Sequence, residues 1–155
     1  MKILLVCIGN ICRSPMAEYI LKSKIDTLKL PHNVASAGVE GHHVGQGANV
    51  NAIQTAKKHG INLLPHKAQQ LTKLHFEEYD KIYVFANDVM QAAINIAPTE
   101  NSKQKLFFFT SINNSKCTDD IIDPWYFDAT IYAKVYNQIE ELCELLVEND
   151  LKNYA

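Results

Sequence analysis

Cys7 and Arg13 frame the stretch Cys7-Ile8-Gly9-Asn10-Ile11-Cys12-Arg13-Ser14-Pro15, which follows directly on the apolar run Ile3-Leu4-Leu5-Val6. The chain holds 15 lysines and arginines, and Arg13 is the one arginine among them. A guanidinium is a planar fork that grips a phosphate or carboxylate through two parallel hydrogen bonds, whereas an ammonium is a point charge. A single such fork, placed just after a cysteine, points to an oxyanion site with a sulfur nucleophile in it.

Cleaving a phosphate monoester also requires a proton for the leaving oxygen. Asp119, Asp120, Asp123 and Asp128 lie close together late in the chain. Asp123 stands apart because Pro124-Trp125-Tyr126 follows it, fixing the backbone and offering two rings as walls for an aryl phosphate. Without Cys7 and Arg13, the same residues would read equally well as an Asp-Pro turn with two half-buried aromatics.

Local elements must position these groups. Residues 3–6 read as a short parallel strand buried on both faces. Ser14-Pro15 reads as a helix start, with Ser14 at the N-cap, Pro15 at the first helical position and Glu18 as an acidic residue of the first turn. Residues 8–13 then form a tight loop between a strand end and a helix N-terminus, with Gly9 free to take positive φ. Such a loop turns successive backbone N–H groups into a concavity, and the helix dipole adds positive charge. That field favours an anionic sulfur at Cys7, a nucleophile facing a cradle for a dianion. In-line attack on phosphorus suits it, since the loop and Arg13 hold the equatorial oxygens. The alternative is a buried, inert cysteine with Arg13 reaching solvent; Gly9, Ser14-Pro15 and the unique arginine argue against it. The glycine-rich nucleotide loops G-x-x-x-x-G-K-[ST] and G-x-G-x-x-G are absent.

The rest of the chain supplies the frame. Residues 33–38 read as a second strand, 39–48 as a glycine-rich loop, and 52–59 as a helix capped by Asn49 and stopped by Gly60. Residues 81–86 form a third strand, followed by a helix capped by Asn87 or Asp88 and ended near Pro98. Residues 105–109 form a fourth, with Phe107-Phe108-Phe109 as strand core. A polar loop leads to a final amphipathic helix from Asp128 through Val147. Four strands alternating with helices predict a single doubly wound α/β domain over residues 1–155. Its four-stranded parallel sheet has helices on both faces and the flavodoxin-like order 2-1-3-4. Ligands bind beyond the carboxyl ends of such strands, where Cys7 lies.

Bulk properties narrow the classes. With 155 residues, 47% hydrophobic and 21% charged content, the chain reads as a soluble globular domain able to bury roughly 70% of its unfolded surface. A net charge of −2 argues against nucleic acid held by phosphate neutralisation. No apolar stretch is long enough to span a membrane and no signal-peptide pattern opens the chain, so a cytoplasmic location is expected. Cys7, Cys12, Cys117 and Cys143 are too few and too irregular for a disulfide scaffold or a zinc site. Cys143 falls on the apolar face of the last helix.

The segment Val6-Cys7-Ile8-Gly9-Asn10-Ile11-Cys12-Arg13-Ser14-Pro15 resembles the signature of the low-molecular-weight protein tyrosine phosphatases, a C-x5-R-S loop at the N-terminus. Asp123-Pro124-Trp125-Tyr126 resembles that family's D-P-[YW]-Y motif. Ser36-Ala37-Gly38, Gly41, His43-Val44-Gly45, His59-Gly60-Ile61, His66-Lys67-Ala68, Leu71, Tyr79-Asp80 and Asp88 fall in family order and spacing, so the likeness covers nearly the whole chain.

The resemblance implies hydrolysis of phosphotyrosine and small aryl phosphates by double displacement, without metal or cofactor. Cys7 would attack phosphorus, Arg13 clamp the phosphate, and Asp123 protonate the phenolate and then activate water against the cysteinyl phosphate. Ile8, Gly9, Asn10, Ile11, Cys12 and Ser14 would bind substrate in the loop, with His42, Trp125 and Tyr126 at the pocket wall. Asn10, Ser36 and His66 would hold Ser14 toward Cys7, with Asp88 also in support. Read alone, His66 is a capping or surface histidine. Partners would be phosphotyrosine proteins, with phosphate as product and competitive inhibitor.

The chain departs from the family in several places. His42 stands where an aromatic wall residue is usual. D-P-R becomes Asn49-Val50-Asn51, A-R-Q becomes Ala68-Gln69-Gln70, and M-D-x-x-N becomes Asn87-Asp88-Val89-Met90-Gln91. His42 and Asn49 should border the pocket mouth and set substrate preference. Two rival readings share the cradle. A thiol-coupled arsenate reductase would need relay cysteines, and none lies between Cys12 and Cys117. A non-catalytic phosphate-binding module would bind without turnover. Cys12 has two readings: a small apolar filler, or a partner that forms a disulfide with oxidised Cys7 and prevents its over-oxidation.

Overall fold

Along the first strand, Ile3, Leu5 and Cys7 enter one apolar cluster and Leu4 and Val6 the other, all of them buried. This strand, β1 (Lys2–Cys7), is therefore central, with both faces covered. It pairs in parallel with β2 (Asn33–Gly38) on one side and β3 (Lys81–Val84) on the other. The sheet ends at β4 (Leu106–Phe108), giving the order β2-β1-β3-β4. The computed structural model describes residues 1–154. It shows the single α/β domain and strand order expected from the sequence.

Helices α1 (Arg13–Leu28), α2 (Val50–Lys57) and α6 (Ala129–Leu146) pack on the Ile3/Leu5 face. Helices α3 (Lys73–Glu78) and α4 (Asn87–Ile96) cover the Leu4/Val6 face. The last helix presents Val135, Ile139, Leu142, Cys143 and Leu146 inward, so Cys143 is core as expected.

Several local expectations shift. The first helix starts at Arg13, with Cys12 at the N-cap, so Ser14 and Pro15 lie inside its first turn. Neither Asn87 nor Asp88 caps α4; the Asn87 N–H donates instead to Asp120 Oδ1 at 2.7 Å, a carboxylate borrowed from the distant loop. Asn49 does cap α2, accepting from the Asn51 N–H. Phe107 is not core. It lies on the edge strand and is 38% exposed, while Phe109 is buried and stacks on Phe85 at 4.8 Å. Two short helices escaped the sequence reading, α3 and α5 (Glu100–Lys103), each closed by a reciprocal cap between Thr72 and His75 or Thr99 and Ser102. Among the described residues no helix is long and apolar enough to cross a membrane, and no cluster of His, Cys, Asp or Glu is arranged to hold a metal.

Candidate active site

Residues 8–12 connect the carboxyl end of β1 to the start of α1, and four of their backbone carbonyls accept from donors outside the loop. The Ile8 carbonyl accepts from the Glu40 N–H at 3.0 Å, Asn10 from His66 Nε2 at 2.7 Å, Ile11 from the Asn49 N–H at 2.8 Å, and Cys12 from the Met16 N–H at 3.4 Å. The Cys7 carbonyl accepts from the Val39 N–H at 3.0 Å. No backbone N–H of residues 8–12 donates to another group among the described residues. With these carbonyls engaged, the loop is left with donors for an anion.

Backbone geometry departs from expectation at one point. Asn10, not Gly9, takes the left-handed conformation, at φ 59°. Gly9 is needed for a different reason, since a Cβ there would meet His43 Cδ2 at 2.9 Å. Gly38 is the tighter constraint. A Cβ on it would lie 2.5 Å from the Ile8 carbonyl oxygen and 2.9 Å from the Gly9 carbonyl carbon, both backbone atoms unable to swing aside.

Behind the loop runs a hydrogen-bonded chain whose proton directions can be assigned. Asn10 Oδ1 accepts from the Gln69 N–H at 3.0 Å, which orients the amide. Its Nδ2 then donates to Ser14 Oγ at 2.8 Å and Ser36 Oγ at 2.9 Å. Ser36 passes its proton on to Glu18 Oε2. Ser14, already an acceptor, keeps its own proton for Cys7 Sγ at 2.9 Å. The hydroxyl is thereby set to stabilise negative charge on the sulfur.

Glu18 is 6% exposed and is the charged end of this chain. Burial alone would raise its carboxyl, but hydrogen bonds from His66, Lys22 and Ser36 outweigh burial and hold it below the usual carboxylate range. His66 Nδ1 lies 3.6 Å from Glu18 Oε2, and because Nε2 faces a carbonyl, Nε2 carries a proton. Glu18, expected as an acidic residue of the first helical turn, lies beyond that turn and is buried. The spacing of four from Ser14 was the available signal, for it stacks both on one helix face.

Arg13 is buried at 2% exposure. Its Nη1 donates to the Ile121 carbonyl at 2.8 Å, and its Nη2 lies 3.6 Å from Asp123 Oδ2. Ile121 is itself fixed by its N–H to the Phe85 carbonyl at 2.8 Å, beyond β3. Asp123 caps the turn Pro124–Tyr126 through the Trp125 N–H, and its side chain is 30% exposed. The other three aspartates are accounted for elsewhere. Asp119 offers only its carbonyl, to Thr110; Asp120 serves α4, and Asp128 caps α6.

These groups meet in one cleft of about 270 Å³, floored by Cys7 and Arg13 and walled by Ile8, Ile11, Trp125, Tyr126 and Asp123. His43, not His42, completes the wall. The Nδ1–H of His43 donates to Gln46 Oε1 at 2.9 Å, and its ring lies 5.5 Å from the Trp125 ring. His42 points to solvent, 78% exposed, with Nε2 3.5 Å from Glu40 Oε2. The one-residue difference follows from the tight turn after Gly41, whose carbonyl accepts from the Val44 N–H. Asp88 is exposed and bonds only to the N–H of its neighbour Val89, away from the loop. Asn49 does not line the cleft; its N–H holds the Ile11 carbonyl and its Oδ1 accepts from the Tyr132 hydroxyl at 3.2 Å.

Cys12 is closed off from chemistry as a free thiolate. Its Sγ lies 3.4 Å from the Tyr132 oxygen, and since that hydroxyl donates to Asn49, the thiol is the donor. Burial pushes the Cys12 thiol up to about 12, with the charges of Cys7 and Asp123 adding to it.

A parallel sheet carrying a cysteine sulfur in an amide-lined bowl, with one guanidinium beside it, defines an α/β domain built to handle phosphate. Residues 2–154 match the family model described as low molecular weight phosphotyrosine protein phosphatase. A curated relative from Saccharomyces cerevisiae, a low molecular weight phosphotyrosine protein phosphatase, is 32% identical across 94% of this chain and 92% of its own length. The crystal structure of a low molecular weight phosphotyrosine phosphatase from Vibrio cholerae O395 superposes with a TM-score of 0.91, at 30% identity. That match covers 100% of this chain and 99% of the other. Wzb from Vibrio vulnificus, solved in complex with benzylphosphonate, gives a TM-score of 0.83 at 32% identity over 95% of this chain and 97% of its own. The chain belongs to the low molecular weight phosphotyrosine protein phosphatase family, and it is a protein-tyrosine-phosphatase by that membership.

Proposed function

We propose that this phosphatase hydrolyses phosphotyrosine and aryl phosphates through a cysteinyl phosphate on Cys7. The observation that carries the reading is the shared cleft, in which Cys7 Sγ receives the Ser14 proton and which Arg13 and Asp123 also line. The loop amides and Arg13 hold the three equatorial oxygens as Cys7 attacks in line. Asp123 gives its proton to the departing phenolate, then takes one from the water that cleaves the sulfur–phosphorus bond. The Ser14 hydroxyl eases departure of the sulfur in that second step. Inorganic phosphate is the product and, by occupying the same bowl, a competitive inhibitor. Aromatic walls at Trp125 and His43 suit a phenyl ring, and the related Wzb holds benzylphosphonate.

No metal or cofactor has a part in this scheme. A cytoplasmic setting is supported by the four free cysteines, which a reducing compartment would preserve. Phosphate release from a panel of phosphotyrosine and phosphoserine peptides tests the function, with Cys7→Ser as a trap that binds without turnover. Turnover by Cys7→Ser equal to wild type, or indifference between the two phosphoamino acids, would overturn it. Equal inertness of both proteins would instead favour a binding module, and thioredoxin-dependent arsenate turnover a reductase.

A further inference from the structure

One charged group lining the cleft has no part in the phosphate chemistry. Glu40 is anchored beside the loop, its N–H donating to the Ile8 carbonyl at 3.0 Å. Its side chain is 53% exposed, and Oε2 lies 3.5 Å from Nε2 of the solvent-facing His42 ring. A carboxylate next to a dianion site repels the ligand unless the ligand brings a cation of its own. The cleft itself supplies none to spare, because Arg13 is the one Lys or Arg lining it and is already shared between the Ile121 carbonyl and Asp123.

The opposite wall has the same sign. Asp123 lines it, 3.6 Å from Arg13. Beside that carboxylate Trp125 and Tyr126 stand 44% and 83% exposed. The mouth sets one guanidinium against two carboxylates, Glu40 and Asp123, with the two rings beside them.

We propose that Glu40 is a specificity-determining residue that selects phosphotyrosine segments carrying lysine or arginine beside the phosphorylated ring, and disfavours acidic neighbours. The proposal rests on the phosphotyrosine reading of the same cleft. With phosphate on the loop and the phenyl ring between His43 and Trp125, the residues flanking the tyrosine lie at the rim, where the Glu40 carboxylate stands. The interaction is half in water, so it is modest, screened by salt, and expressed in KM more than in kcat.

The test uses two phosphotyrosine peptides that differ only in their flanks, lysine on both sides or glutamate on both sides. Phosphate release is measured with the full chain, Glu40→Gln and Glu40→Lys, at low salt and at about 0.5 M salt. Wild type is expected to favour the lysine peptide about fivefold in kcat/KM at low salt, and less than about twofold at high salt. Glu40→Gln should reduce that ratio at least twofold, and Glu40→Lys should invert it. Each preference is a ratio within one protein, so changes in the loop's own activity cancel. A wild-type ratio near one, or the same ratio in Glu40→Gln, overturns the proposal and leaves the phosphotyrosine reading intact. If neither peptide is hydrolysed while p-nitrophenyl phosphate is, the phosphotyrosine reading itself fails, and this proposal with it.

Discussion

Asp123 and Arg13 lie 3.6 Å apart in the cleft that Cys7 also lines, and their proposed roles separate by the kind of substrate that feels their loss. Asp123→Asn should lower turnover of phenyl phosphates by roughly 10²- to 10⁴-fold, the usual worth of a general acid. The loss should shrink for esters whose leaving group departs without a proton. A rate series across phenols of graded acidity checks this, and a uniform loss would contradict the role. Arg13→Lys should be severe although the charge is kept, since a point charge cannot replace the fork that already bonds the Ile121 carbonyl. Glu18→Gln leaves Ser36, His66 and Lys22 without their anion and should cost about 1–3 kcal/mol of stability at neutral pH. Because the Glu18 carboxyl is depressed in the fold, its contribution is fully present above the ordinary carboxylate value of 4.5 and is lost as pH falls through the lower value that the fold gives it. The difference between thermal melts of wild type and Glu18→Gln should therefore narrow as the pH is stepped down from 7 into the acid range. For Cys12, held as a neutral donor to Tyr132, peroxide inactivation followed by thiol rescue decides between filler and protector. Equal recovery of wild type and Cys12→Ser would count against protection.

At the scale of elements, the loop depends on how closely β2 approaches it. Gly38→Ala pushes a methyl into loop backbone, at 2.5 Å from the Ile8 oxygen. It should cost about 1–3 kcal/mol and reduce kcat/KM by more than tenfold, because the atoms displaced are those that shape the bowl. Gly9→Ala meets only the His43 ring and should be milder, with His43→Ala restoring what it loses; steady-state kinetics on the single and double variants reads this directly. The contrast shows what a sequence discloses. Cys7, Arg13 and Asp123 were legible because each is a rare type in a telling context: a sole arginine, a strand-loop-helix junction, an aspartate before proline. Strands β1, β3 and β4 were legible from their apolar runs, and β2, broken by Ser36, from its closing glycine. Glu18, Gln69 and Ile121 were not, since their contribution comes from partners far along the chain. His43 was displaced by one residue because a turn, invisible in spacing, decides which of two adjacent histidines faces inward. The short helices α3 and α5 have too few apolar residues to show a period.

For the whole molecule, the cradle is a junction as well as a site. Residues from β2, α2, the His66 segment, the Ile121 loop and α6 converge on it. An anion in the bowl should therefore stabilise the entire domain. Inorganic phosphate at about a hundred times its Kd adds roughly 2.7 kcal/mol, or about 5–10 °C in Tm for a domain of this size. Arg13→Lys should show a much smaller gain in a thermal-shift titration.

The tethering of the loop carbonyls has one more consequence, for biogenesis. The donors that pin Cys7, Ile8, Asn10 and Ile11 come from Val39, Glu40, Asn49 and His66. A ribosome-bound chain that has released its signature heptad but not yet these later residues carries the motif without the receptacle. After dilution from urea, recovery of turnover should lag behind early helix formation seen by circular dichroism and keep step with the final change in Trp125 fluorescence.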